Sequence, residues 1–207
     1  MAFAELLAHP EVVEELVLGS RVGFLALHGG LEPATAEIAR EAAARSGSSS
    51  YVIVQPLAMK RHVPSHQTDP GCAAQFATFL QHIDVLVSIH GYGGRGRLHS
   101  AVLLGGADRI GAAELARVLR TALPEYRVID DLDAIPRRLR GLDPRNPVNH
   151  APGGGVQIEL PHPVRAIGPY GRGPAGAEHR AHTAALVEGL AVFAAARSGV
   201  PVPSRDE

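Results

Sequence analysis

The stretch VGFLALHGGLEPATAEIA, residues 22–39, changes character at His28. Apolar residues run up to that histidine, Gly29 and Gly30 follow, and Glu32-Pro33 leads into alanine-rich helical spacing. An apolar run that stops at glycine reads as a buried strand, and a proline early in a helix suits its fixed φ and missing N–H. The segment is therefore a strand-to-helix junction that carries an imidazole and, four residues later, a carboxylate. The glycines between them leave the backbone free to turn both groups toward one point.

The same texture repeats along the chain. Residues 22–27, 51–55, 85–89, 101–104, 126–129 and 155–160 read as strands, several of them apolar throughout. Residues 33–46, 71–82, 109–123 and 175–198 have helical spacing. The alternation predicts an α/β fold, a three-layer α/β/α sandwich with a mixed, mostly parallel sheet. Residues 1–200 are expected to form a single domain, with 201–207 a disordered tail. Residues 130–154 form a long loop rich in proline and arginine, and loops of that length inside a compact domain are often functional.

Composition narrows the function classes. The 207 residues are 45% hydrophobic and 20% charged, a soluble globular balance, and the formal charge of −1 gives no bulk attraction to nucleic acid or anionic membranes. No window approaches the roughly 18 apolar residues of a membrane span. The N-terminal MAFAELLAHPEVVEELVLGSR is interrupted by Glu5, Glu11, Glu14 and Glu15, so it reads as helical structure rather than a signal peptide. A cytoplasmic monomer or small homo-oligomer is expected. Cys72 is the single cysteine, which excludes an internal disulfide and thiolate-rich zinc sites. Any metal must be held by His, Asp or Glu.

Three chemically capable residues share one address. His28 ends the strand 22–27, His90 ends the strand 85–89, and Glu159 lies near the end of the strand 155–160. Ligands of open α/β sheets bind beyond the carboxyl ends of parallel strands, so these side chains converge if the strands run together. Two imidazoles and a carboxylate with an open position make a catalytic zinc shell, and a further carboxylate can move the proton of an attacking water. Each residue alone also has a plainer reading. A histidine after a strand is commonly a hydrogen-bonded structural group, Glu32 suits a helix N-terminus, and Glu159 suits an edge strand.

Other chemistries leave weaker traces. GYGGRG, residues 91–96, fits the spacing of a dinucleotide loop, but RLHSAVLLGG after it reads as another strand rather than the helix that would receive a pyrophosphate. A non-catalytic or nucleotide-binding α/β protein is the alternative. No Gly-x-Ser-x-Gly elbow is present. Cys72 reads as a small packing residue near a helix start.

Taken together, ALHGGLEPATAEIA, DVLVSIHGYGG, VLLGGAD, DPRNPVNH and GGGVQIELPHPVR resemble the poly-γ-glutamate hydrolase family, in the order the family shows. The resemblance implies a zinc carboxypeptidase-like fold, related in plan to N-formylglutamate amidohydrolases. It implies zinc as cofactor, His28, Glu32 and His90 as its ligands, and Glu159 as general base. It also implies a small acidic peptide or poly-γ-glutamyl substrate, with Asn149 and His66 as candidate substrate contacts. Arg165, shortly after Glu159, is a further candidate because a guanidinium pairs bidentately with a carboxylate. His62 lies in the same segment as His66, Arg137, Arg138, Arg140 and Arg145 make the long loop basic, and Tyr170 is a candidate aromatic at the mouth. HGGLE is one glycine shorter than the motif usual in the family.

Overall fold

Seven strands form one mixed sheet in the computed structural model, which describes residues 2–94, 96–166 and 176–198. The strands are β1 Val13–Val17, β2 Ser20–Gly29, β3 Ser48–Val54, β4 Val85–Gly91, β5 Ala101–Gly105, β6 Arg127–Ile129 and β7 Gly155–Leu160. The helices are α1 Ala2–Leu7, α2 Thr35–Ser46, α3 Ala74–His82, α4 Arg109–Ala122 and α5 Ala177–Ser198. The sheet order is β1-β3-β2-β4-β7-β5-β6. Its centre, β3-β2-β4-β7, is parallel, while β1 and β5 run against β3 and β7.

This order creates the crevice in which the site sits. The chain leaves β2 through α2 and returns as β3 on one side, then passes through α3 and returns as β4 on the other. Where successive crossovers diverge, their loops part and leave room beyond the carboxyl ends of the strands. Strand alternation sorts the side chains into two layers. Val22, Phe24, Val87, Ile89, Val156 and Ile158 pack with residues of α2, α4 and α5. Leu25, Leu27, Tyr51, Ile53 and Leu86 pack with α1 and α3. The same alternation puts Ser88, His90, Gln157 and Glu159 on the face away from α2, α4 and α5, with Ser88 opposite Gln157 and His90 opposite Glu159.

The N-terminal segment departs from the helical expectation. Only Ala2–Leu7 is helix, and Val13–Val17 is an edge strand antiparallel to β3. Consecutive Glu14 and Glu15 hide the alternation that marks a strand. Both find partners only in the folded sheet: Tyr51 donates to Glu14 at 2.6 Å, and Arg40 donates to Glu15 at 2.7 and 2.8 Å. Helix α2 likewise starts at Thr35 rather than Pro33, because Ala34 sits at φ 70° and closes a turn first. Among the described residues no helix is long and apolar enough to cross a membrane. Tyr170 and residues 201–207 lie outside the described residues.

The turn after β2 depends on Gly30. Its φ is +83°, and a Cβ there would lie 1.9 Å from the Gln55 carbonyl oxygen. Gly30→Ala is therefore expected to destabilise the fold by roughly 2–4 kcal/mol, since it combines left-handed strain with a backbone clash. Denaturant unfolding measures this, and a loss below about 0.5 kcal/mol, within the range of neutral surface substitutions, would show that the turn relaxes freely.

Candidate active site

His28 and His90 reach the crevice from the ends of neighbouring parallel strands, and Glu32 reaches it from the turn after β2. One ligand atom from each of His28, Glu32 and His90 lies within 4.8 Å of the others. The Glu32 carboxylate stands between the rings, with Oε1 3.0 Å from His28 Nδ1 and Oε2 3.5 Å from His90 Nδ1. The backbone N–H of Gly91 donates to Glu32 Oε2 at 2.8 Å. The shorter HGGLE spacing thus still delivers the carboxylate to both rings.

The tautomers carry the chemistry. His28 Nε2 lies 2.9 Å from the Val63 carbonyl oxygen, which only accepts, so Nε2 holds a proton. A neutral His28 then turns an unprotonated Nδ1 toward a carboxylate oxygen. Two acceptors at that distance repel unless a proton or a cation lies between them. A histidine oriented by a backbone carbonyl and presenting its other nitrogen to a cation is the usual arrangement at metal sites. His90 Nε2 lies 3.0 Å from Ser88 Oγ, a contact that orients the ring with Nδ1 toward Glu32.

Electrostatics agree with that geometry. Burial opposes charge on His28, but the Glu32 carboxylate and the hydrogen bonds to Glu32 and Val63 outweigh it, and the pKa is raised. Burial also works to raise the Glu32 pKa, yet His28 and His90 hold it well below the usual carboxylate range. The site is built to keep a negative charge beside two imidazoles, which suits a divalent cation.

Glu159 forms the adjoining wall. It is 5% exposed, and Gln157 Nε2 donates to its Oε1 at 2.9 Å. Burial first, and then the Glu32 charge, push its pKa up to about 8, against the pull of Gln157, Arg165 and Arg138. The cavity of about 540 Å³ is lined by all four residues, by His62 and His66, and by Arg137 and Arg138 from the long loop. The His62 ring packs on His28 with centroids 4.7 Å apart, and its pKa is lowered by burial and by His28.

Two expected substrate contacts fall outside the cavity lining. Arg165 is 2% exposed and donates to the carbonyl oxygens of Pro33 at 2.7 Å, Leu160 at 3.1 Å and Tyr92 at 3.5 Å. It braces the turn that carries Glu32, with its pKa lowered to about 10 by burial. Asn149 accepts from Ala107 N and donates to Gly141 O and Asp143 O, so its amide ties the long loop together. The neighbouring Asn146 lines the cavity instead, as does Gln157. The alternation V-Q-I-E-L in β7 was the available signal for Gln157, since it places Gln157 and Glu159 on one face of a strand. Nothing in NPVNH distinguishes Asn146 from Asn149.

The glycine-rich loop after β4 has no dinucleotide context. It leads into a short 3₁₀ turn, Gly96–Leu98, and then β5, so no α-helix N-terminus follows it.

The sheet order and the crevice at its strand ends define a mixed α/β fold of the zinc-peptidase-like class. The profile for poly-γ-glutamate hydrolase matches residues 2–167, and the chain belongs to that family of amide-bond hydrolases. A bacteriophage poly-γ-glutamate hydrolase shares the fold with a TM-score of 0.60 and 20% identity, over 88% of this chain and 89% of that one. The zinc-free apo form of YNDL gives a TM-score of 0.63 and 23% identity, over 87% and 89%. The N-formylglutamate amidohydrolase of Ralstonia eutropha JMP134 gives 0.51 and 13% identity, over 90% and 99%. No curated protein sequence matches the chain at a significant level.

Proposed function

We propose that the chain is a zinc-dependent amidohydrolase acting on γ-glutamyl-type amide bonds of acidic peptides or poly-γ-glutamate. The observation that carries this reading is His28: its Nε2–H donates to the Val63 carbonyl oxygen, and its Nδ1 faces a carboxylate shared with His90. The donor set of two imidazoles and one carboxylate fits zinc. That a fold relative, YNDL, is known in a zinc-free form supports the choice of metal.

His28, Glu32 and His90 would hold the ion. Bound there, zinc supplies a Lewis acid for the scissile carbonyl and a nucleophilic water near neutral pH. Glu159 takes a proton from the attacking water and gives it to the leaving amine nitrogen. Its place on the cavity wall beside Glu32 suits that shuttle, and a cation at the three ligands would draw its pKa down toward ionisation.

The long loop supplies the preference for acidic substrates. Arg140 donates to Ile135 O, and Arg145 pairs with Asp143. Arg137 and Arg138 line the cavity, and neither side chain makes a hydrogen bond or ion pair among the described residues. With His66, they are the groups available to meet substrate carboxylates. The double variant Arg137→Ala/Arg138→Ala is expected to raise KM for a γ-glutamyl oligomer roughly 10- to 100-fold, with a weaker salt dependence than wild type. An unchanged KM would remove these arginines from substrate recognition.

Zinc stoichiometry together with product release from poly-γ-glutamate tests the whole reading. One zinc per chain and cleavage lost on chelation are expected. Full turnover by chelated, zinc-free protein would overturn it.

A further inference from the structure

We infer that Gln157, itself set by Asn146, is a positioning residue that orients the Glu159 carboxylate for proton transfer. This rests on Glu159 being the proton shuttle proposed above. The inference comes from a run of amides whose orientations follow one from another.

The Val148 backbone N–H donates to Asn146 Oδ1 at 3.3 Å. Only the Asn146 Nδ2 end is then left to face Gln157, and it donates to Gln157 Oε1 at 2.8 Å. That contact in turn settles which end of Gln157 faces Glu159: Nε2 donates to Glu159 Oε1 at 2.9 Å. Every donor in the run points toward the carboxylate, and it starts from a backbone N–H that cannot flip. Asn146, Gln157 and Glu159 are 6%, 5% and 5% exposed, so water does not compete freely for these bonds.

The surroundings hold Gln157 in place. Its Nε2 also donates to Leu139 O at 3.4 Å, and Gly141 closes the other side. Gly141 has φ +64°, and a Cβ there would lie 2.5 Å from Gln157 Oε1. The long loop therefore walls the amide as well as lining the cavity. With Oε1 engaged by Gln157, Oε2 is the oxygen left to exchange a proton with water and the leaving amine. Gln157 lies two residues from Glu159 on the same strand face, so its amide meets the carboxylate at the wall of the cavity.

Gln157→Met keeps the side chain's length and removes both amide groups. In the zinc-loaded enzyme it is expected to lower kcat about 10- to 100-fold on a γ-glutamyl oligomer, with KM unchanged within about twofold. Asn146→Ala should lower kcat in the same direction by a smaller factor. The decisive measurement is the cycle with Glu159→Gln. If Gln157 acts through Glu159, adding Gln157→Met to Glu159→Gln lowers kcat no further. Zinc content and thermal midpoint are read for each variant. A Gln157→Met protein with full zinc, wild-type midpoint and wild-type kcat overturns the inference, as does a further full-size loss in the double variant. Retained activity in Glu159→Gln alone would instead overturn the shuttle role on which it rests. Should Gln157→Met fail to fold, Gln157→Glu, which replaces the donor by an acceptor at equal size, carries the same comparison.

Discussion

Glu159→Gln is expected to lower kcat by about 10²- to 10⁴-fold, the usual worth of a positioned general acid–base, while zinc remains bound. The substitution keeps the size of the side chain and an oxygen to accept the bond from Gln157 Nε2. It removes only the ability to take and return a proton. Steady-state kinetics with metal analysis on the same sample check this, and turnover within tenfold of wild type would refute the assignment. The metal-free protein gives a second, thermodynamic readout. Glu159 has its pKa raised from 4.5 to about 8, so between those values the folded state keeps a proton that the unfolded chain has released. Stability of metal-free wild type therefore falls as pH rises through that window. Glu159→Gln does not titrate and escapes the fall. The gap between the two thermal midpoints should widen from about pH 4.5 to about pH 8 in favour of the glutamine variant. A gap independent of pH would contradict a buried, proton-retaining carboxyl group.

Removing a ring from the proposed metal centre should be the more drastic change. His28→Ala or His90→Ala is expected to abolish stoichiometric zinc and to lower activity by at least about 10³-fold, since even outer partners of a metal site are worth 10- to 100-fold. The two variants should differ in stability. His28→Ala leaves the Val63 carbonyl and Glu32 Oε1 without their imidazole partner, and His90→Ala leaves Ser88 Oγ and weakens the hold on Glu32. A buried group left unsatisfied costs about 1–3 kcal/mol, and His28→Ala strands more of them. Inductively coupled plasma analysis and chemical unfolding separate the effects. Full zinc occupancy in both variants would sink the three-residue centre.

Much of this architecture is legible in linear form. The apolar runs before His28 and His90 mark β2 and β4, which continue through those buried histidines to Gly29 and Gly91, because a strand covered on both faces is apolar along most of its length. The limits of β7 coincide with the expected strand 155–160, whose alternation sets Gln157 and Glu159 on one face. The first strand was not legible, since an edge strand has fewer apolar contacts and its glutamates pair with Tyr51 and Arg40, far away in the chain. Asn149 and Arg165 have chemistry suited to substrate binding and lie outside the cavity lining. Backbone groups of the folded loop and turn already occupy both.

The sequence by itself determined the class of fold, the family and the residue types gathered at the strand ends. Those features follow from local periodicity and from short motifs in which neighbours along the chain constrain one another. Only the tertiary structure decided which polar groups meet. The parallel pairing of β2, β4 and β7 brings His28, His90 and Glu159 together across the sheet. The returning long loop selects Asn146 over Asn149 and leaves Arg137 and Arg138 facing the cavity. Hydrogen bonds fix direction as well as distance. Whether an amide or imidazole serves the site or the scaffold therefore depends on the partner opposite it, which chain order does not specify.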